Sequence, residues 1–293
     1  MKYYVRHISS YAYEFPVTLS AHVARLKPRE TPYQKVSDVK LTIDPQTDAA
    51  RDVTDAFGNT MTLFTVEKTH DALTVTSEFH AQTRAPDYPN PAGTPAWEEV
   101  AQILKFPQTD ALLEAAQMSA ESCFIQKTAA AREYALQSFA KNRPVLEAAE
   151  DLTHRIYEDF LYDPTATSVA TPVDEVLKLR RGVCQDFAHL AIACLRSLGL
   201  AARYVSGYIR THKADDSAMV GGDASHAWFS VFVPSICGWV DLDPTNNMYL
   251  GEEHVTIGWG RDFDDMSPVK GVMTGGGKHS FSVDVLVAPQ SDD

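Results

Sequence analysis

Arg-Arg-Gly-Val-Cys-Gln-Asp-Phe, residues 180–187, is where a turn hands over to a helix. From Cys184 onward the apolar positions Phe187, Leu190, Ala191, Cys194, Leu195 and Leu198 fall at three-to-four spacing and form one stripe, which Gly199 terminates. The spacing predicts a helix over 184–198 with Cys184 on its first turn. The unpaired N–H groups and positive dipole end there favour thiolate over thiol. The Cys184 N–H is also placed to hold a developing oxyanion. Read alone, the same residue fits a buried structural cysteine equally well. Cys194, further along the stripe, is explained by packing. Cys123 has no such context, and Cys237 stands beside Gly238-Trp239.

Downstream the period changes to two. Ala202–Ile209, His226–Val233, Gly238–Leu242 and Ser280–Val287 read as strands. In 226–233, His226, Trp228, Ser230 and Phe232 share one face, and Ala227, Phe229, Val231 and Val233 the other. A histidine heading such a strand can face a helix end packed on the sheet; with nine other histidines in the chain, position alone does not single it out. Asp241 and Asp243 also share a face. Pro244 ends that strand and puts Asp243 at its rim, where it either orients an imidazole or caps the Asp-Pro-Thr turn. The pattern leaves both options open. Thiol, imidazole and carboxylate together would supply a nucleophile, its base and the group that orients the base.

Upstream, residues 1–85 read as all-β, with alternating runs at Met1–Ile8, Val36–Ile43, Thr60–Val66 and Leu73–Phe79 between turns such as 55–59, the pattern of a β-sandwich. Residues 86–95, rich in proline, read as a linker. Helical spacing follows at 96–104, 109–117, 128–139, 145–160 and 174–179. The chain thus divides into a β domain (1–85), a linker (86–95) and an α+β domain (96–293). Thr274-Gly-Gly-Gly-Lys278 has the wrong glycine spacing for a phosphate loop, and Asp262-Phe-Asp-Asp265 reads as a capping turn.

Composition bounds the function. The 293 residues, 44% hydrophobic and 22% charged, are those of a globular protein, and the net charge of −13 argues against nucleic acid and anionic membranes as partners. No apolar run is long enough to span a bilayer, and the first residues lack the features of a signal peptide. Four cysteines without a Cys-x-x-Cys pair predict neither a disulfide framework nor structural zinc, and fit a cytoplasmic location. No metal or organic cofactor is expected.

Gly-Val-Cys-Gln-Asp-Phe-Ala-His-Leu (182–190), Ala-Arg-Tyr-Val-Ser-Gly-Tyr (202–208), Ser-His-Ala-Trp (225–228) and Gly-Trp-Val-Asp-Leu-Asp-Pro-Thr-Asn-Asn (238–247) resemble the transglutaminase-like superfamily, in particular its bacterial members. The intervals 226 − 184 = 42 and 243 − 226 = 17 suit the compact versions. Residues 1–85, with Asp-Ala-Phe-Gly-Asn (55–59), resemble the group's N-terminal β-sandwich, and 260–271 its C-terminal block. The resemblance implies a papain/transglutaminase-like α+β core with the nucleophile at a helix N-terminus against an antiparallel sheet. It also implies a Cys184–His226–Asp243 triad and, because family members often carry an aromatic there, Tyr162 as a candidate second oxyanion donor; a core tyrosine is the alternative. Gln185 points about 100° away from the cysteine on a helix, Asp186 is assigned to the helix N-terminus or a nearby loop, and His189 diverges. The expected chemistry is acyl transfer through a thioester: hydrolysis of a peptide, isopeptide or amide bond first, protein-glutamine transglutamination or deamidation second. A binding module with a relic triad is the non-enzymatic alternative. The partner expected is a peptide or protein substrate. Residues 210–222 are expected to form a flap over the cleft, and the exposed face of the first domain could serve a homo-oligomer.

Overall fold

The computed structural model describes residues 1–210, 225–234 and 238–290. A single seven-stranded sheet forms the first layer. Its strands are β1 (Lys2–Ala24), β2 (Gln34–Asp44), β3 (Ala50–Thr54), β4 (Thr60–Val66) and β5 (His70–Thr83), together with β13 (Val269–Gly275) and β14 (His279–Pro289) from the chain's other end. β1 runs down the middle. At Val17 it faces His70 of β5 on one side and Gly275 of β13 on the other; at Ser20 it faces Val66 of β4 and Met273 of β13. β5 and β4 therefore lie end to end along one edge of β1, and β14 and β13 end to end along the other. Tyr3, Val5, His7 and Ser9 are buried while their neighbours are half-exposed, the period-two signature of one covered face.

The sheet curls, so that Leu73 and Val75 of β5 meet Phe64 and Val66 of β4 in a small core of their own. The all-β part is thus a half-barrel of one hydrogen-bonded sheet. The expected end of the catalytic domain at 293 is revised by the same pairing. Residues 269–289, including the strand expected at 280–287, are hydrogen-bonded to β1 rather than to the strands around His226. The physical reason is the length of β1. A 23-residue strand exposes two long rows of N–H and C=O groups, and only a second long partner satisfies the second row. Gly275, Gly276 and Gly277 all have positive φ, and this left-handed stretch carries the chain past the irregularity in β1 between Ala12 and Val17.

The second layer starts after the linker with α1 (Trp97–Lys105), α2 (Asp110–Gln117), α3 (Ala129–Leu136) and α4 (Val145–Asp159). A short parallel pair, β6 (Leu161–Tyr162) with β7 (Arg181–Gly182), brackets α5 (Val173–Leu179) and leads into α6 (Cys184–Ser197). α6 packs on a five-stranded antiparallel sheet of order β11-β10-β9-β8-β12, made of β8 (Ala202–Ile209), β9 (His226–Val233), β10 (Gly238–Asp243), β11 (Met248–Tyr249) and β12 (His254–Gly260). α7 (Phe263–Met266) then turns the chain back to β13. Ala227, Phe229, Val231 and Val233 of β9 join Phe187, Leu190, Ala191, Cys194, Leu195 and Leu198 in one continuous core, so both predicted apolar faces meet each other. Among the described residues no helix is long and apolar enough to cross a membrane.

The two layers meet along β12, where side chains of the half-barrel act as backbone. The Gln34 amide donates to the Thr256 carbonyl at 2.7 Å and accepts from the Thr256 N–H at 2.8 Å. Asn59 repeats the motif on Trp259, donating to its carbonyl at 2.8 Å and accepting from its N–H at 3.1 Å. Asn59 is aimed by its own turn, where Asp55 Oδ1 accepts from the N–H groups of Phe57 and Asn59, both at 2.8 Å, and Gly58 supplies φ +80°. The Arg29 guanidinium lies 3.4 Å above the Trp259 ring centre and Arg203 lies 3.8 Å from it.

Candidate active site

Cys184 is the first residue of α6. Asp186, two residues on, accepts from the Val183 N–H at 2.8 Å and from Thr167 Oγ1 at 2.6 Å, fastening the helix N-terminus to the preceding loop. Its carboxylate fills the space beside Gly182, where a Cβ would lie 2.6 Å from Asp186 Oδ2. The glycine and the aspartate together let the chain turn sharply into Cys184. As a first-turn residue Cys184 keeps its N–H ahead of the intrahelical ladder.

His226 opens β9 opposite Gly207 of β8, and Asp243 closes β10 one step beyond Leu242, the last residue paired with β9, and opposite Met248 of β11. His226 Nε2 lies 2.8 Å from Asp243 Oδ2, with both side chains essentially inaccessible to solvent. The other ring nitrogen, Nδ1, is buried without a geometric partner among protein atoms, and Cys184 is the second group that interacts with the ring. The imidazole thus interacts with both the carboxylate and the thiol. Burial alone would lower its pKa; the Asp243 charge and hydrogen bond, then the Cys184 hydrogen bond and charge, outweigh burial and raise it to about 10. Burial would likewise raise Asp243, but the charge and hydrogen bond of His226 hold its carboxyl well below the usual carboxylate range.

The carboxylate is densely donated to. Oδ1 accepts from the N–H of Thr245 at 2.9 Å and of Asn246 at 3.3 Å, and Oδ2 accepts from Asn246 Nδ2 at 2.7 Å in addition to His226. Asp243 thus both caps the Asp-Pro-Thr turn and faces the histidine, so the two readings open in the sequence are one arrangement. Asp241 goes elsewhere. It stands opposite Ser230, which donates to it, and the nearby Arg203 charge opposes the effect of its burial.

Tyr162 of β6 lies directly beside Gly182 in the parallel pair, and its hydroxyl is pushed up to about 12 by burial and by the neighbouring Cys184. It is therefore a protonated donor near the thiol. Gln185 turns away and donates to the Val169 carbonyl at 3.1 Å. His189 also diverges, accepting from the Phe263 N–H at 3.1 Å, with its pKa lowered to about 4 by burial. Cys194 is buried in the core and its thiol is raised by that burial, whereas Cys123 is exposed. Asp262 N-caps α7 and also accepts from the Phe124 N–H at 2.8 Å, a capping role for the acidic cluster. Cys237 and residues 211–222 of the expected flap lie outside the described residues.

Two site residues escaped the sequence reading. Asn246 belongs to the Asp-Pro-Thr-Asn-Asn stretch, where an asparagine reads as an ordinary turn residue. His254 had no local signal at all, because β12 was not recognised as a strand; its alternation is interrupted by Gly258 and Gly260. His254 Nε2 lies 3.4 Å from Asp243 Oδ2, and its ring stands edge-on to Trp228 at 5.2 Å. One donor atom from each of His226, Asp243 and His254 lies within 4.8 Å of the others, a spacing that a metal set can share. Here the hydrogen bonds to Asp243 account for it.

Comparison with known proteins gives the family and the fold. Residues 3–82 match the model described as "Bacterial transglutaminase-like N-terminal region", and 132–244 the one described as "Transglutaminase-like superfamily". An uncharacterized protein of Mycobacterium tuberculosis is 38% identical over 100% of this chain and 94% of its own length; one from Mycobacterium leprae is 32% identical over 97% and 96%. A crystal structure titled "Putative Cysteine Protease from Cytophaga hutchinsonii" superposes with a TM-score of 0.76 at 20% identity, covering 100% of this chain and 92% of that one, and shows the shared fold. With relatives this similar along their whole length and a cysteine, a histidine and an aspartate gathered at the head of α6, the chain belongs to the transglutaminase-like superfamily, whose members are typically cysteine-dependent enzymes.

Proposed function

We propose that this protein is a cysteine acyltransferase that hydrolyses a peptide, isopeptide or amide bond in a peptide or protein substrate. The observation that carries the reading is the single buried imidazole that Asp243 holds at 2.8 Å and that also interacts with Cys184. In this reading His226 takes the Cys184 proton, and the resulting imidazolium is stabilised by Asp243. The thiolate adds to the substrate carbonyl, and the Cys184 N–H and the Tyr162 hydroxyl donate to the oxyanion. Collapse of the adduct breaks the C–N bond, with His226 returning its proton to the leaving amine and a thioester remaining on Cys184. Water, deprotonated by His226, then releases the acid and the free thiol. Hydrolysis is preferred to transamidation because water needs no second binding site. We place the reaction in a reducing compartment, the cytoplasm, where the Cys184 thiol stays available.

The test is alkylation of Cys184 by iodoacetamide as a function of pH, followed by peptide mass spectrometry. Fast labelling at pH 6 that collapses in His226→Ala is expected. Labelling no faster than that of Cys123, and indifferent to His226, would overturn the reading. Ammonia release from a glutamine peptide that rises on adding a primary amine would move the assignment from hydrolysis to transglutamination.

A further inference from the structure

His254 sits on β12, across β8 from the strand that carries His226, yet its ring reaches the same carboxylate oxygen. Gly207 shapes the strand between them. It lies in β8 between His226 of β9 and Thr256 of β12, and a Cβ there would come within 2.5 Å of the Trp228 indole. With no side chain at 207, the indole lies over β8 and His254 stands against its edge at 5.2 Å. His254 is buried, as are His226 and Asp243. The charged groups facing it are Asp243 and Asp241 of β10, with His226 of β9 across the shared oxygen.

The tautomer of His254 follows from its other contact. The Gly251 N–H donates to His254 Nδ1 at 3.1 Å, so that nitrogen is an acceptor and carries no proton. Nε2 is therefore the N–H, and its neighbour at 3.4 Å is Asp243 Oδ2. We infer that His254 is a positioning residue for the triad: a neutral N–H donor that braces Asp243 Oδ2 and keeps that oxygen turned to His226. The inference rests on the reading of Cys184, His226 and Asp243 given above, and adds the half-barrel to it. β12 is held from both sides of His254, by Thr83 Oγ1 donating to the Glu252 carbonyl and by Gln34 bonding both backbone groups of Thr256. The first sheet thereby fixes the strand that fixes the aspartate.

The experiment is the pH profile of Cys184 alkylation by iodoacetamide in wild type, His254→Ala, His254→Gln and His254→Asn, with His226→Ala as reference and thermal melts of each protein. A Gln amide nitrogen can occupy the place of Nε2, whereas that of Asn reaches only the place of Nδ1. Loss of one hydrogen bond to a charged group is expected to slow labelling at pH 6 about tenfold in His254→Ala. His254→Gln is expected to restore the wild-type rate and profile, and His254→Asn to remain slow. Wild-type labelling in His254→Ala, or a His254→Gln protein that melts like wild type and labels as slowly as His254→Ala, would overturn the inference while leaving the triad reading intact. Labelling unaffected by His226→Ala would instead overturn the triad reading itself.

Discussion

Strands β8 and β9 are buried at every residue, whereas β13 and β14, at the edge of the half-barrel, are largely exposed. The two regions treat polar side chains in opposite ways. In β8 and β9 the polar groups nearest the site have dedicated neighbours: Ser230 has Asp241, His226 has Asp243, and Arg203 lies over the rings of Trp239 and Trp259. In β13 and β14 water does that work, and apolar Val272 and Phe281 are left 74% and 54% exposed without harm to the fold. In a sheet enclosed on both faces an unpaired charge is costly, and paired sets are where reactive chemistry can be held in place.

The largest expected effect is at the most enclosed set. Asp243→Ala leaves His226 buried without its counter-charge, and Cys184 labelling at pH 6 should fall by about 10³-fold or more. A fall of only a few-fold would mean that enclosure, rather than the carboxylate, sets the reactivity. Tyr162→Phe comes next. Turnover of an amide substrate should drop about 10²-fold, the loss of one oxyanion donor. Alkylation, which forms no oxyanion, should keep its rate, and a parallel fall in both would give Tyr162 a packing role instead.

Gly207→Ala tests the close approach of Trp228. Overpacking there should cost about 3 kcal/mol in urea denaturation, since a Cβ would come within 2.3 Å of the Val255 carbonyl oxygen as well as 2.5 Å of the indole. A cost below about 0.5 kcal/mol, the range of an exposed site, would show that β8 can give way.

The histidines of the two regions carry opposite pH signatures. His226 is raised to about 10, so its contribution to stability is complete below its unfolded value near 6.5 and is lost as pH rises through about 10. His7 in the half-barrel is lowered to about 4, chiefly by burial. The unfolded chain binds its proton more readily between about 4 and 6.5, so stability falls as pH drops through that window. Unfolding curves from pH 4 to 10 should flatten on the alkaline side in His226→Ala and on the acid side in His7→Gln. Exchange of these two outcomes would refute the assignment of charge. The smallest effect is expected at the exposed edge, where Phe281→Ser should change stability by no more than about 0.5 kcal/mol.

The sequence carried the local terms. Three-to-four spacing placed α6 within a residue of its observed end, and alternation separated the two faces of β9, because both depend only on which neighbours along the chain are apolar. The Asp-Ala-Phe-Gly-Asn turn was likewise visible, since its hydrogen bonds close within five residues. Three things were decided only by the fold. Which aspartate meets His226 depended on the register of β10 against β9, where Asp241 falls opposite Ser230 and Asp243 one step past the last pair. The end of the chain went to the half-barrel because the far edge of β1, more than two hundred residues away, was left to be paired. His254 became part of the site because β12 lies beside β8, where a glycine leaves room for the Trp228 indole against which the histidine stands. Each depends on contacts between residues far apart in sequence, and periodicity records which face a residue takes but not which strand will lie beside it.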